Sequence, residues 1–132
     1  VLTMDGCLSS ELYDKAHQDL CLDRCGLDEI RKKAFYRVTP DYSISMLHEW
    51  RKDCTNIRYL AEATPDTADY INGLLRMHAV DEIILYTVPF ISGSGRHFFK
   101  SALPEQHWTL SSLKSYPNGV CRIIYILDKK AR

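Results

Sequence analysis

One continuous apolar run constrains the fold of this chain more than any other part of its sequence. Residues Ile83 to Val88 read Ile-Ile-Leu-Tyr-Thr-Val, follow two acidic residues and stop at Pro89. A short run of β-branched and aromatic residues that ends at a proline is typical of a buried central strand. A second run, Val120 to Leu127, follows the turn Pro117-Asn118-Gly119, whose Asn-Gly pair accepts positive φ cheaply. With a further strand candidate at Trp108 to Leu110, the back of the chain is predicted to be rich in strands.

The front and middle of the chain carry apolar residues at helical spacing. The predicted helices are Ser10 to Leu22, Leu27 to Lys33, Ser43 to Trp50 and Thr67 to Met77. The last of them follows Thr64 as a predicted cap and Pro65 at the first helical position. Short strands are predicted at Ala34 to Thr39 and at Ile57 to Leu60. The predicted fold class is therefore α+β, with N-terminal helices followed by a mixed or antiparallel β-rich core.

The length and charge of the chain exclude several classes of protein. Its 132 residues suit one ordinary domain, so residues 1–132 are predicted to form a single domain. The 17 basic and 17 acidic residues cancel, which argues against affinity for nucleic-acid phosphates or an anionic membrane. The longest apolar stretch, Ile83 to Ile91, is too short to span a bilayer, and no signal segment heads the chain. We expect a soluble chain with no nucleic-acid partner and no membrane span.

Five cysteines are many for this length. They are Cys7, Cys21, Cys25, Cys54 and Cys121. An exported domain would hold one or two disulfides with one thiol left over, whereas a cytosolic domain would bury five thiols. We favour the disulfide interpretation and a secreted protein. No second close Cys or His pair accompanies Cys21 and Cys25 at zinc-finger spacing, so no metal is predicted.

Arg37 is the first candidate binding residue. It follows the aromatic Tyr36 on a strand that is predicted to be half buried. An arginine in such a place needs an anionic partner or an accessible sheet edge. A local ion pair with Asp41 would meet that need without any ligand.

Three short motifs occur in order along the chain. They are Phe35-Tyr36-Arg37, Tyr59-Leu60-Ala61-Glu62-Ala63 and Pro104-Glu105-Gln106-His107. In this order, with the strand at Ile83 to Val88 between the second and third, the chain resembles the bacterial-toxin type of mono-ADP-ribosyltransferase, the A chains of heat-labile enterotoxin and cholera toxin. The resemblance implies an ADP-ribosyltransferase-like core over residues 34–127 behind a helical segment, 1–33. It further implies that Arg37, Tyr36 and Tyr59 bind the cofactor NAD.

The sequence departs from that family at two catalytic positions. Where the family has Ser-Thr-Ser the chain has Ala61-Glu62-Ala63, and His107 stands in place of the second glutamate of the third motif. An imidazole cannot supply the fixed negative charge that stabilises the oxocarbenium-like ribose. Glu105, or Glu62, would have to substitute as the catalytic carboxylate.

Three functions follow from this sequence-based interpretation. The preferred one is a secreted effector-type protein, catalytically degenerate, that binds a protein target or host protein. Its candidate anchors are the aromatic residues Tyr42, Trp50, Phe98, Phe99 and Trp108. The alternative is an active mono-ADP-ribosyltransferase that uses NAD. In the third, the resemblance is chance and the chain is an α+β interaction domain.

Overall fold

The computed structural model describes residues 1–4, 6–8, 26–34, 36–53, 59–64, 66–89, 91, 96–99 and 103–128. Within them lie three helices, Leu27–Lys33 (α1), Ile44–Asp53 (α2) and Ala68–Arg76 (α3). The strands are Cys7–Leu8 (β1), Tyr36–Arg37 (β2), Tyr59–Leu60 (β3), Glu82–Thr87 (β4), Arg96–His97 (β5), Trp108–Ser115 (β6) and Cys121–Leu127 (β7). The protein is therefore α+β, as the sequence predicts.

The main sheet is antiparallel and has the strand order β4-β7-β6. The run of apolar residues that the sequence marks as a strand becomes β4, and it pairs with β7 from Glu82↔Ile126 to Thr87↔Cys121. β6 extends well past the predicted Trp108 to Leu110, and its register against β7 shifts between Leu110 and Ser112. The predicted Asn-Gly turn joins β6 to β7, with Gly119 at φ 91°.

Two smaller sheets have two strands each. β1 and β5 pair antiparallel, whereas β2 and β3 pair parallel with Tyr36 opposite Tyr59 and Arg37 opposite Leu60. A parallel bridge also joins Leu2 to Thr87, which attaches the first residues of the chain to β4.

Helices pack near both faces of the main sheet. On one face, Tyr86, Val88 and Val120 form a buried cluster to which Ile30 of α1 adds its side chain. On the other, α3 buries the apolar stripe that the sequence predicts, together with Phe98 from the chain after β5. Each fully buried aliphatic or aromatic side chain contributes roughly 1.5–3 kcal/mol relative to exposure. This burial holds α3 in place, whereas α1 contributes only the partly buried Ile30.

One polar side chain is buried inside the second cluster. Asn72 of α3 is 0% exposed, and its Nδ2 donates to the carbonyls of Ala68 and Phe98 at 2.8 Å each. A buried amide is tolerated because its donors are satisfied. The bond to Phe98 ties the chain after β5 to α3.

The predicted helices that lie among the described residues agree with the structure, with small differences at their ends. α1 has the predicted bounds, and α2 runs three residues beyond the predicted end at Trp50. α3 begins at Ala68 with Thr67, not Thr64, as its N-cap. The predicted helix from Ser10 to Leu22 lies outside the described residues.

The described cysteines, Cys7 and Cys121, are both reduced thiols, and Cys7 is buried. The disulfide prediction is therefore wrong for these two, because each packs as a reduced side chain; the other three cysteines lie outside the described residues. In the part of the chain that the structure describes, no helix has the length and apolarity needed to cross a membrane.

Candidate functional site

A cavity of about 270 Å³ opens where β2 and β3 end. Its walls are Arg37, Val38, Thr39, Pro40, Glu62, Thr64 and Thr67. The parallel pairing continues one step beyond the strands, since the Val38 amide donates to the Leu60 carbonyl at 2.8 Å. Because both strands run in the same direction, the segments that follow them meet at one edge and form the cavity walls. The carboxyl ends of parallel strands are the usual place for ligands in α/β sheets.

Glu62 lies between two arginines at this cavity. Its Oε1 accepts from Arg31 Nε at 2.5 Å, and its Oε2 accepts from Arg37 Nη2 at 2.8 Å. The Glu62 side chain is 25% exposed and that of Arg37 is 53% exposed. Exposed ion pairs contribute roughly 0–1 kcal/mol each, so the main effect of this network is to hold the Arg37 guanidinium in place. It also connects α1 to the end of β3.

Thr67 holds the backbone on which Glu62 is carried. Its Oγ1 donates to the Glu62 carbonyl at 2.7 Å and accepts from the Thr64 amide at 2.9 Å. A hydroxyl has one proton to donate and lone pairs to accept, so both bonds form at once. The loop from Glu62 to Thr67 is thereby closed by a side chain at the start of α3, whose first-turn N–H groups have no partners inside the helix.

Tyr36 and Tyr59 lie face to face beside the cavity. Their ring centroids are 5.4 Å apart and their planes differ by 13°. Successive residues of a strand point to opposite sides, so this stack lies on the side of the β2–β3 pair away from Arg37. The structure therefore brings together the two predicted aromatic residues, but it does not include them in the cavity wall.

Glu105 lies apart from the other predicted site residues. It is exposed, and among the described residues neither a hydrogen bond nor an ion pair of Glu105 is found. It does not line the cavity. Its neighbour Gln106 instead bonds His78, with Nε2 2.8 Å from Nδ1, and the His107 carbonyl accepts from the Asp128 amide at 2.9 Å. The predicted catalytic role of Glu105 stays a prediction without a described partner.

The anionic partner expected for Arg37 exists, but it is Glu62 and not Asp41. Asp41 lies within 3.5 Å of the Thr39 hydroxyl instead. Sequence reasoning missed Arg31 and Thr67 entirely, and it considered Glu62 only as a substitute carboxylate. The available signal was the position of Glu62, two residues after a predicted strand that ends at Leu60.

The predicted aromatic anchors are distributed between core and surface. Phe98 is buried, Tyr42 and Trp108 are half-buried, and Phe99 is exposed. The side chain of Trp50 lies outside what the structure describes. The described residues include no group of three or more His, Cys, Asp or Glu side chains that could hold a metal ion. Partner binding stays a prediction.

Comparison with known proteins gives a fold. No protein-family model matches the sequence, and no curated protein matches it. A putative riboflavin biosynthesis protein from Shewanella sp. PV-4 matches the structure with a TM-score of 0.53 and 12% identity, over 67% of this chain and 47% of that one. RibD from Acinetobacter baumannii matches with a TM-score of 0.39 and 18% identity, over 70% of this chain and 26% of that one. A pyrimidine reductase-like protein from Corynebacterium diphtheriae matches with a TM-score of 0.37 and 15% identity, over 70% of this chain and 48% of that one. This chain spans less than half the length of each.

The resemblance to toxin-type ADP-ribosyltransferases is wrong. At 12% identity the Shewanella protein shows a common fold, and that fold is not the toxin fold. The predicted effector, whether a degenerate or an active ADP-ribosyltransferase, is wrong with it, as are the enterotoxin-like and virulence descriptions. The physical reason is that motifs of three to five residues do not determine which strands pair. Here Arg37 is directed at Glu62, and Glu105 lies elsewhere.

Proposed function

We propose that this chain is a nucleotide-binding domain on a RibD-like reductase fold, and that a nicotinamide dinucleotide binds at the cavity where β2 and β3 end. The likeness to the Shewanella protein, whose description places it in riboflavin biosynthesis, supports the fold. The observation that carries the proposal is the Arg37 guanidinium held at the cavity by Glu62.

Arg37 has donors to spare for a phosphate. A guanidinium carries five N–H donors, and within the described residues only the bond to Glu62 uses one of them. The side chain is 53% exposed, so a ligand in the cavity can reach it. Glu62 is shared between Arg31 and Arg37, so its single charge does not neutralise both. A positive, partly desolvated guanidinium in a fixed orientation is suited to a phosphate oxygen pair.

Threonine hydroxyls supply the remaining polar contacts. Thr39, Thr64 and Thr67 line the same cavity. The hydroxyls of Thr39 and Thr64 can donate to or accept from a ribose or phosphate group, whereas the proton of Thr67 is already given to the Glu62 carbonyl. Val38 and Pro40 give the wall an apolar part. A few directed polar groups on a partly apolar wall are typical of a cofactor site.

The chemistry that such a cofactor supplies when bound is hydride transfer. The residues of this chain would bind and orient it: Arg37 would hold a phosphate, Thr67 would fix the Glu62 backbone, and Glu62 would keep the guanidinium aimed at the ligand.

Calorimetric titration of NADPH and NADH into the purified chain tests the proposal. The matched variants are Arg37→Ala and Lys33→Ala, since each removes one exposed positive charge and Lys33 does not line the cavity. We expect Arg37→Ala to weaken binding by about tenfold or more, which is about 1.4 kcal/mol, while Lys33→Ala changes it little. Equal effects of the two variants, or no binding of either dinucleotide at millimolar concentration, would contradict the proposal.

A further inference from the structure

We propose that two copies of this chain pair through the free edge of β6, in antiparallel register, so that the main sheet continues from one copy into the other. β6 is the outermost strand on its side of the sheet, and in the described part of the chain its backbone bonds only to β7. No residue of β6 lines the cavity of the proposed cofactor site. Pairing at this edge is therefore independent of the proposed function.

The β6 edge is long and has little protection. The strand has eight residues, six of them exposed, and an antiparallel strand of that length extends roughly 27 Å. Sheet edges in proteins are usually kept from pairing by short length, by proline or by several charges. β6 contains no proline, and its single charged residue is Lys114. Its outward N–H and C=O groups are therefore a template for another strand.

A bulge brings two exposed leucines to one side of this edge. Leu110 lies opposite Tyr125 and Leu113 opposite Ile123, whereas Ser111 has no partner on β7. Tyr125 and Ile123 are two residues apart, so they project from one face of the sheet, and the leucines opposite them project from the same face. Without the extra residue, side chains three positions apart would lie on opposite faces. Leu110 is 53% exposed and Leu113 is 63% exposed, so an apolar stripe follows the edge.

The apolar stripe is complementary to a second copy of itself. A two-fold axis between Ser111 and Ser112 places Leu110 opposite Leu113 of the second copy, and symmetry repeats that contact on the other side of the axis. Four exposed leucines then cover one another on a single face, while backbone groups pair along the strand. The combined sheet has six strands, in the order β4-β7-β6-β6-β7-β4.

The charge of the strand also fits a second copy. In the same register Lys114 stands opposite Thr109 of the second copy. Both project from the face away from the leucines, because their partners on β7 are Arg122 and Ile126. The two Lys114 residues are five positions apart along the paired strands, or roughly 15 Å, which is beyond the screening length at physiological salt. No like charges meet, so the pairing requires no partner of opposite charge.

Sedimentation equilibrium of the full chain tests the proposal. We expect the mass to rise from that of one chain to that of two between about 1 and about 100 μM, because contacts at the low end of interface size are weak. Leu113→Lys should raise the dissociation constant of the dimer by about tenfold or more, since it places a charge against Leu110 of the second copy twice. Met77→Lys is the matched control, because Met77 is also an exposed apolar residue, 51% exposed, and lies outside β6.

Mixing two variants tests the register. Leu110→Lys and Leu113→Glu are each expected to be monomers, since each places a charge against a leucine twice. In an equal mixture, one of the two contacts becomes an ion pair between the changed positions and the other joins two leucines. We therefore expect a dimer with one copy of each variant. The proposal is overturned by a mixture that stays monomeric, by a dimer that Leu113→Lys leaves unchanged, or by a monomeric original chain, which would leave the edge to a strand of another protein.

Discussion

Two groups of cationic side chains flank α1, and they differ in how their charge is balanced. At the cavity, Arg31 and Arg37 share the carboxylate of Glu62. On the main sheet, Arg122 and Lys114 lie side by side, and no carboxylate among the described residues pairs with them. The first arrangement holds a guanidinium in position for a ligand. The second places two cations opposite each other on paired strands.

The difference shows that overall composition conceals how charge is balanced locally. The whole chain has 17 basic and 17 acidic residues, yet a carboxylate accompanies the cations at the cavity and none described accompanies those on the sheet. A zero net charge argues against broad affinity for polyanions, but it places no limit on a small site. Local balance depends on which strands pair, and that is a property of the fold.

The largest effect is expected from Glu62→Gln, which makes the cavity resemble the sheet cations by taking the shared carboxylate away from two guanidiniums. We expect a loss of about 2 kcal/mol in the free energy of unfolding, the upper end for two ion pairs of roughly 0–1 kcal/mol each. Urea unfolding measures it. Glu105→Gln is the control, because Glu105 is exposed, and its change should stay within about 0.5 kcal/mol. Equal losses in the two variants would show that the network contributes no stability.

Thr67→Val tests whether the cavity depends on its backbone support. The variant loses the bonds to the Glu62 carbonyl and from the Thr64 amide, and we expect it to cost about 1–1.5 kcal/mol. Because the Glu62 backbone would be released, dinucleotide affinity should fall as well. Thr109→Val, at an exposed position of β6, is the matched control for both measurements. Loss of stability with unchanged affinity would limit Thr67 to a structural role.

Lys114→Glu makes the opposite change and gives the sheet cation Arg122 a carboxylate neighbour. The introduced carboxylate would stand opposite Arg122, and a cross-strand pair of opposite charge contributes roughly 0.2–1 kcal/mol. We expect a higher free energy of unfolding, measured in urea. Lys33→Glu carries the same change of charge away from the sheet and should leave the free energy of unfolding unchanged. A less stable Lys114→Glu protein would argue that the two cations are not in conflict.

The smallest effect is expected from Tyr36→Leu, which removes the aromatic stack beside the cavity. An exposed aromatic pair contributes about 0.5 kcal/mol, so the loss of stability should be of that order. Tyr59→Leu should lower the free energy of unfolding by the same amount. The double variant should lose little more than either single variant, and a double-mutant cycle measures this. Dinucleotide titration of the same proteins tests the sequence-based prediction that Tyr36 and Tyr59 contact the cofactor; unchanged affinity would leave them only a packing role.

Elements with a strong local pattern can be predicted from the sequence. The apolar run that forms β4 and the helical stripe of α3 each carry their signal within a few residues, so both are predicted to within one or two residues. The prediction for β6 is too short, because its serines and its register shift after Leu110 hide the strand pattern. The parallel pairing of β2 with β3 cannot be predicted, since two-residue strands have no periodicity.

The candidate site is predictable only in part, for the same reason. Arg37 can be recognised as an arginine in need of an anion, but its partner lies 25 residues further along the chain. The link from Arg31 to Glu62 crosses 31 residues and depends on how α1 packs. Short motifs suggest a toxin fold because they contain only the order of neighbouring residues. They carry no information on contacts between residues that are distant in the sequence.

The placement of α1 connects the main sheet to the cavity. Gly26 borders the guanidinium of Arg122 at one end of this helix, and Arg31 pairs with Glu62 near the other. Five residues separate them, a rise of roughly 7.5 Å along a helix. A displacement of α1 along the sheet would therefore carry Arg31 with it and change the contact that helps to hold Glu62 at the cavity.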